Sequence, residues 1–193
     1  MIKEGCLEGI DEIYGIHNWP SGIEGKINVS LKEQMAGVVI VKIKITGRGG
    51  HGSEPANSLD PITAGCMVHT ALHTIKSRKI FNSTVASFTI CKFNSGTTFN
   101  VIPETCEMEG TVRYFDYAEK DKIISSIRSI TTLTTEAHGC TSEIDINEVY
   151  PPTINHEAQA RVVQSVGREF LGEENVDTNL LPVMASEDFS FYL

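Results

Sequence analysis

The sequence predicts an α/β (α+β) fold in which four strands and two helices alternate in a fixed order. Four segments alternate apolar and polar residues or are rich in β-branched residues, as strands are. Two segments repeat apolar residues every three or four positions, as amphipathic helices do. The order is β-α-β-β-α-β over residues 36–149. This order is typical of the ferredoxin-like arrangement, an antiparallel sheet with two helices on one face.

The first strand and the first helix are separated by a long loop. Residues 38–46 predict a strand because valine and isoleucine alternate there with lysine. A loop rich in glycine, serine, asparagine and proline follows over residues 47–59. Asp60 and Pro61 then mark a helix start, with aspartate as the N-cap and proline in the first turn. The apolar face of this helix consists of Ala64, Val68, Ala71, Leu72 and Ile75.

The remaining elements follow at short intervals. Residues 84–93 are β-branched and aromatic, which predicts the second strand. Residues 105–114 alternate strictly and predict a third strand with one face in solvent. A second helix ends at Gly139, and residues 141–149 predict the fourth strand. The inward face of that helix is predicted to be Ile123, Ile127, Ile130, Thr134 and Ala137.

The flanks of this module have no repeating pattern that would make a core of their own. Residues 1–35 are broken by glycine and proline, and residues 150–193 hold one helix, over 156–171, and an apolar tail, over 180–193. The sequence therefore predicts a central module at 36–149 with pieces of another domain on either side.

Composition excludes several classes of function. The 193 residues carry 16 Lys+Arg and 25 Asp+Glu, a net charge of −9 that argues against nucleic-acid binding. No run approaches the ~20 apolar residues of a membrane span, and no signal peptide is recognisable. The five cysteines form no CxxC pair, which favours reduced thiols in a cytoplasmic protein.

Four histidines invite a chemical interpretation. Residues 47–52 match GxGxxG, but a loop follows where a dinucleotide site needs a helix, so we interpret them as a loop that presents His51. His69 and His73 have metal-ligand spacing on a helix, yet solvated histidines are the simpler interpretation. His17 is either a ligand or an incidental neighbour of Trp19.

Four polar residues elsewhere leave two interpretations each. Asn100 either stabilises a turn or binds a ligand through its amide. Arg113 is either a surface cation or a guanidinium group that binds a carboxylate through two hydrogen bonds. Glu187 and Asp188 either start a helix or face a metal-lined cleft.

Seven stretches together resemble the M20 metallopeptidase clan in its amidohydrolase branch, which includes N-acyl-amino-acid, hippurate and indoleacetyl-amino-acid hydrolases. They occur in family order and extend over nearly the whole chain. The stretches are IYGIHNWP (13–20), GRGGHGSEP (47–55), SLDPITAG (58–65), NVIPE (100–104), EGTVRYF (109–115), YPPTINH (150–156) and MASEDFSFYL (184–193).

The resemblance implies a zinc-peptidase-like catalytic α/β domain with two divalent metal ions, zinc or manganese, and an inserted lid that also forms a homodimer. Residues 36–149 then correspond to the lid, and residues 1–35 and 150–193 to partial segments of the catalytic domain. The implied reaction is hydrolysis of the amide bond in N-acyl amino acids or small peptides.

The resemblance also implies roles for single residues. His17 matches a metal ligand. His51 matches the lid histidine that polarises the substrate carbonyl in a neighbouring active site. Asn100 and Arg113 match positions that hold the substrate's carboxylate or oxyanion.

Other parts of the family pattern have no counterpart here. Its Cys-x-His segment and Glu-Glu pair, which supply further ligands and the general base, lie upstream of Met1, and a last ligand histidine lies downstream. Glu187 and Asp188 match a motif near the metals, and neither is expected to be a ligand. We therefore expect a truncated chain that is inactive alone. The alternatives are a non-catalytic dimerisation or binding module and an unrelated ferredoxin-like ligand sensor.

Overall fold

The computed structural model describes residues 2–178 and 182–193, so residues 180 and 181 of the predicted tail lie outside the described residues. The chain divides into two compact units. The sheet unit is Val38–Val149, and the flanking unit combines Met1–Gly37 with Tyr150–Leu193. No described helix has both the length and the apolar character that a membrane span requires.

The described residues form strands, α-helices and short 3-10 helices. The strands are β1 (Ile27–Asn28), β2 (Glu33–Met35), β3 (Gly37–Thr46), β4 (Gly50–His51), β5 (Ser87–Ser95), β6 (Val101–Ile102), β7 (Thr105–Tyr114), β8 (Thr141–Tyr150), β9 (Thr153–Ile154) and β10 (Val176–Asp177). The α-helices are α1 (Pro61–Leu72), α2 (Ile75–Lys79), α3 (Tyr117–Ala137) and α4 (Glu157–Leu171). The 3-10 helices are Ile2–Glu4, Pro55–Asn57, Glu173–Asn175 and Asp188–Tyr192.

The sheet unit is built on a four-stranded sheet with the order β5-β7-β3-β8. Its main elements follow along the chain as β3, α1, β5, β7, α3 and β8, so the mixed α/β prediction is confirmed. Strands β5 and β7 are antiparallel, and their register shifts between Ile90 and Lys92. The loop predicted over 47–59 contains a further short strand, β4, which pairs antiparallel with β6.

One face of this sheet is buried beneath α1 and α3. Along β3, Val41, Ile43 and Ile45 are buried, whereas Lys42 and Lys44 between them are exposed. The same alternation runs along β7. The inward residues of β7 and of the two helices belong to one apolar cluster, which includes Cys106, Met108, Val112, Tyr114, Ala64, Val68, Leu72, Ile123 and Ile127.

Local signals in the sequence fix where the helices begin and end. The Asp60 side chain accepts a hydrogen bond from the Ile62 N–H at 2.9 Å, as expected of the N-cap of α1. Asp116 caps α3 in the same way, accepting from the Glu119 N–H at 3.0 Å. Gly139 follows α3 with a φ of 71°, the left-handed conformation that glycine adopts without strain.

The second half of α3 differs from the prediction. Its fully buried positions are Thr131 and Thr135, whereas Ala137 is exposed. The Thr135 hydroxyl donates to the Thr131 carbonyl at 3.0 Å, so this polar group is satisfied inside the core. Thr135 can therefore line the core here because its methyl group packs while its hydroxyl bonds to the preceding turn.

In the described part of the flanking unit, the strands form two-stranded sheets. Strands β1 and β10 pair in parallel, and β2 pairs with β9 in the antiparallel sense. Helix α4 packs on the β1 segment: the Gln164 side chain donates to the Val29 carbonyl at 2.9 Å. A Cβ atom on Gly167 would lie 2.3 Å from the Ile27 Cδ1 atom, so a larger residue would require the end of the Ile27 side chain to move. The exposed side of α4 carries Val162, Val166 and Phe170.

Replacing Ile127 with alanine should remove about 2–5 kcal/mol from the free energy of unfolding, because the side chain is fully buried and a cavity remains. Leu133→Ala on the same helix is the matched control. Leu133 is 66% exposed, so its truncation should change stability by less than about 0.5 kcal/mol. Urea denaturation measures both, and equal losses would contradict the packing of α3 described above.

Candidate functional site

A short ladder in the sheet unit brings His51 beside Asn100. Strands β4 and β6 pair so that His51 lies opposite Val101. One step further along, the Gly52 N–H donates to the Asn100 carbonyl at 2.8 Å. Two residues that the sequence singled out separately thus lie on neighbouring backbone segments.

Glycines make this close approach possible. A Cβ atom on Gly49 would lie 2.9 Å from the Ile102 carbonyl oxygen, and one on Gly47 would lie 2.1 Å from the Leu59 carbonyl oxygen. Any larger residue would push these backbones apart. The glycine-rich loop therefore serves contacts within the protein's own chain, and it leads into β4 rather than into a helix.

The His51 side chain is exposed and is held through one ring nitrogen. Its Nδ1 atom lies 2.7 Å from the Ser53 hydroxyl oxygen, and the Ser53 backbone N–H donates to the same nitrogen at 3.2 Å. The sequence analysis did not identify Ser53. The only signal for it was a hydroxyl residue two positions after a histidine in a loop, a spacing at which side chain and backbone can bond.

Arg113 lies apart from the β4–β6 ladder, on the main sheet. It is half-buried in β7 between the buried residues Val112 and Tyr114, and it is in register with Ser87 on β5. Because side chains alternate along a strand, Arg113 projects from the sheet face opposite the helices. The prediction that it lies on the more exposed face is confirmed.

A second constellation lies in the flanking unit, where His17 contacts Glu187. Their side chains are 170 residues apart in the chain, and His17 Nε2 lies 2.6 Å from Glu187 Oε2. Glu187 also caps the final 3-10 helix, since its side chain accepts from the Phe189 N–H at 3.3 Å. Trp19 meets the His17 ring edge-on at 6.5 Å. Glu187 is therefore a helix-start residue and also a partner of His17.

The two adjacent acids, Glu187 and Asp188, are shifted in opposite directions. Hydrogen bonds with the Asp188 side chain and from the Phe189 N–H lower the pKa of Glu187, and the contact with His17 acts in the same direction. The hydrogen bond to Glu187 raises the pKa of Asp188. Glu187 is thus the more readily ionised of the two and presents a negative charge to His17.

The donor types at His17 and Glu187 suit a divalent metal ion, but their number is too small. Imidazole nitrogen and carboxylate oxygen both bind zinc or manganese. A catalytic zinc site uses three protein ligands, and within residues 2–178 and 182–193 no three His, Cys, Asp or Glu side chains lie close enough together to hold one metal ion. The described residues therefore do not form a complete metal site by themselves.

The other histidine pair is held by aromatic contacts. The rings of His69 and His73 lie 4.6 Å apart on α1, His69 meets Phe93 edge-on and His73 stacks on Phe88. His69 is half-buried and His73 is exposed. These side chains pack against β5, so the expectation of two solvated histidines holds for His73 but not for the half-buried His69.

Comparison with known proteins assigns the family. Residues 35–138 match the model of the peptidase dimerisation domain of the M20 group. Hippurate hydrolase of Campylobacter jejuni is 34% identical over all of this chain and 51% of its own length. N-acetyl-L-cysteine deacetylase of Bacillus subtilis is 33% identical over all of the chain and 46% of its own length. The chain therefore belongs to the M20 peptidase family.

Solved structures agree with this assignment. The YXEP protein of Bacillus subtilis, a dinuclear metal binding peptidase of the M20 family, superposes with a TM-score of 0.77. It is 25% identical, over 99% of this chain and 47% of its own. A protein from methicillin resistant Staphylococcus aureus gives a TM-score of 0.85 at 31% identity, over 99% and 49% of the two chains. The chain thus spans about half the length of the relatives that it matches.

The contact between His17 and Glu187 should be measurable as a small coupling energy. Because both side chains reach solvent, we expect about 0.2–1 kcal/mol from a double-mutant cycle of His17→Ala and Glu187→Ala in urea unfolding. Pairing His17→Ala with Glu24→Ala, an exposed acid in the same unit, should give additive effects. A coupling of zero at His17 and Glu187 would contradict the contact.

Proposed function

We propose that this chain is part of a metal-dependent amidohydrolase of the M20 type, which hydrolyses the amide bond of N-acyl amino acids or small peptides. The relatives that match the whole chain are named for such reactions: a hippurate hydrolase and a cysteine deacetylase. The observation that carries the proposal is the 2.6 Å contact between His17 and Glu187, which joins two family motifs from opposite ends of the chain.

In this proposal residues 36–149, which include the whole sheet unit, are the lid and dimerisation domain. Residues 1–35 and 150–193 are segments of the catalytic domain. Two features of the flanking unit, an isolated pair of parallel strands and an exposed apolar helix side, support this assignment. Parallel strands normally lie in larger sheets covered on both faces, whereas β1 and β10 form a pair, and α4 exposes the apolar side chains Val162, Val166 and Phe170. Polypeptide outside these 193 residues would supply further strands beside β1 and β10 and would cover the exposed apolar side chains of α4.

His17 is proposed as a ligand of one of two divalent ions, zinc or manganese, together with ligands from outside the described residues. Glu187 orients the imidazole, as carboxylates do for metal-bound histidines. Asp188 supports the charge of Glu187 through their shared hydrogen bond. The ions supply an activated water when they are bound.

The lid residues are proposed to bind the substrate in the active site of a neighbouring subunit. His51 donates a hydrogen bond to the scissile carbonyl oxygen, where negative charge develops. Asn100 and Arg113 hold the substrate's carboxylate or oxyanion, Asn100 through its amide and Arg113 through its guanidinium N–H groups. The exposure of the His51 ring and its place beside Asn100 on the β4–β6 ladder support these roles.

The proposal includes a homodimer formed through the lid and a cytoplasmic location. The match of residues 35–138 to a dimerisation domain supports the dimer. All five cysteines are free, which suits a compartment that keeps thiols reduced.

A non-catalytic dimerisation module is the second candidate. Two observations favour it: the family model that matches is the dimerisation domain, and residues 2–178 and 182–193 contain no cluster of three metal-ligating side chains. The two candidates differ in what happens when catalytic segments are supplied in trans.

The purified 193-residue chain should not hydrolyse hippurate or N-acetyl amino acids, even with added Mn²⁺ or Zn²⁺, because two donors do not hold a catalytic metal ion. Adding separately purified N-terminal and C-terminal catalytic segments of an M20 relative, which carry the ligands expected upstream and downstream of this chain, should restore turnover. Release of the free amino acid measures both. His17→Ala should abolish the restored activity.

Two outcomes would contradict this proposal. Turnover by the chain alone that depends on His17 would show that its metal site is complete. A stable dimer in analytical ultracentrifugation, with no turnover after addition of the catalytic segments, would favour the non-catalytic module.

In the restored enzyme, His51→Ala should lower kcat by roughly 10²–10³-fold, the effect of losing one donor to a developing oxyanion. His73→Ala is the matched control, because His73 is exposed on α1 of the same unit and should leave kcat unchanged. Steady-state kinetics measure both. An unchanged kcat in His51→Ala with reduced solubility would assign His51 a structural role only.

A further inference from the structure

We propose that Ser53 is a positioning residue that holds His51 in the tautomer with its proton on Nε2. Two groups of Ser53 lie within hydrogen-bond distance of the same ring nitrogen. The hydroxyl oxygen is 2.7 Å from His51 Nδ1, and the backbone N–H of Ser53 donates to Nδ1 at 3.2 Å. The inference concerns which nitrogen of His51 carries the proton.

The backbone contact decides the direction of the hydrogen bonds. A backbone N–H can only donate, so an N–H aimed at Nδ1 requires a lone pair on that nitrogen. A neutral imidazole carries one proton, and Nε2 must therefore hold it. With a lone pair at Nδ1, the Ser53 hydroxyl is a donor as well, and both groups of this one residue favour the same tautomer.

The backbone around His51 keeps Ser53 in place. The Glu54 N–H donates to the His51 carbonyl at 2.9 Å and closes a turn around Gly52 and Ser53. On the other side, pairing of β4 with β6 fixes His51, and the Gly52 N–H bonds to the Asn100 carbonyl. Ser53 is thus fixed two residues from the ring that it contacts.

The consequence concerns the proposed function, on which this part of the inference rests. With Nδ1 bonded to Ser53, the exposed ring presents Nε2–H, a donor, to an incoming carbonyl oxygen. The other tautomer would present a lone pair there and repel that oxygen. Ser53 would therefore act on the substrate only through His51.

The tautomer can be measured in the chain itself. Two-bond ¹H–¹⁵N correlation spectra of the labelled chain, recorded where histidines are neutral, separate protonated from unprotonated ring nitrogens. The spectrum of His51→Gln identifies the His51 signals. We expect Nδ1 of His51 at the unprotonated shift and Nε2 at the protonated shift.

Variants of Ser53 test whether this residue sets the tautomer of His51. Ser53→Ala keeps the backbone N–H but loses the hydroxyl donor, so it should move both nitrogen shifts part of the way toward the average of the two tautomers. Ser53→Thr, which retains a hydroxyl, should keep the original shifts. Ser58→Ala is the matched control, because the Ser58 hydroxyl bonds to the Pro55 carbonyl in the same loop and should leave the shifts unchanged. A proton on Nδ1 of the unaltered chain, or unchanged shifts in Ser53→Ala, would overturn the inference.

Kinetics separate this inference from the proposed function. In the restored enzyme, Ser53→Ala should lower kcat roughly tenfold with little change in KM, the effect of one ordinary hydrogen bond, and Ser53→Thr should recover it. If no activity can be restored but the tautomer responds to Ser53→Ala, the proposed function fails and the positioning role stands. If the tautomer does not respond, the positioning role fails whatever the kinetics show.

Discussion

Burial of one sheet face beneath α1 and α3 is the constraint on which the sheet unit depends. Inward residues alternate with Lys42 and Lys44 along β3, so a slip of one residue would bury both lysines and expose the core. The register fixed in this way extends past the ends of the strands. The Gly47 N–H, just after β3, donates to the Glu104 carbonyl just before β7 at 2.9 Å. The β4–β6 ladder that carries His51 continues from that point, so the place of His51 depends on the core.

The elements that the sequence predicted well are those with a local signal. Strand β7 has the predicted bounds and alternation, and Asp60 and Gly139 mark helix ends through their own side-chain and backbone chemistry. Strands β4 and β6 were not predicted, because two-residue strands have no periodicity and exist only through pairing with each other. The buried threonines of α3 were missed for another reason: threonine counts as polar in a hydrophobic pattern, although the Thr135 hydroxyl is satisfied by a bond to the preceding turn.

In the candidate site too, some residues could be identified from the sequence and others could not. His17 and His51 are identified from the resemblance to a family, since each one alone is a histidine in a loop. Their partners could not be predicted from the sequence. Glu187 is 170 residues from His17, and no local pattern joins them. Ser53 is close in sequence to His51, but the chain contains many serines, and only the turn that brings its N–H and hydroxyl onto one nitrogen gives it a distinct chemical setting.

The two histidines are held in opposite ways, and this difference bears on their proposed roles. The ionised carboxylate of Glu187 only accepts hydrogen bonds, so a neutral His17 bonded to it through Nε2 carries its proton there and keeps a lone pair on Nδ1. Ser53 donates to Nδ1 of His51, which leaves that ring with a donor N–H. A metal ligand needs a free lone pair, whereas a group that stabilises an oxyanion needs a free proton. The partner of each ring therefore favours the role proposed for it and disfavours the other.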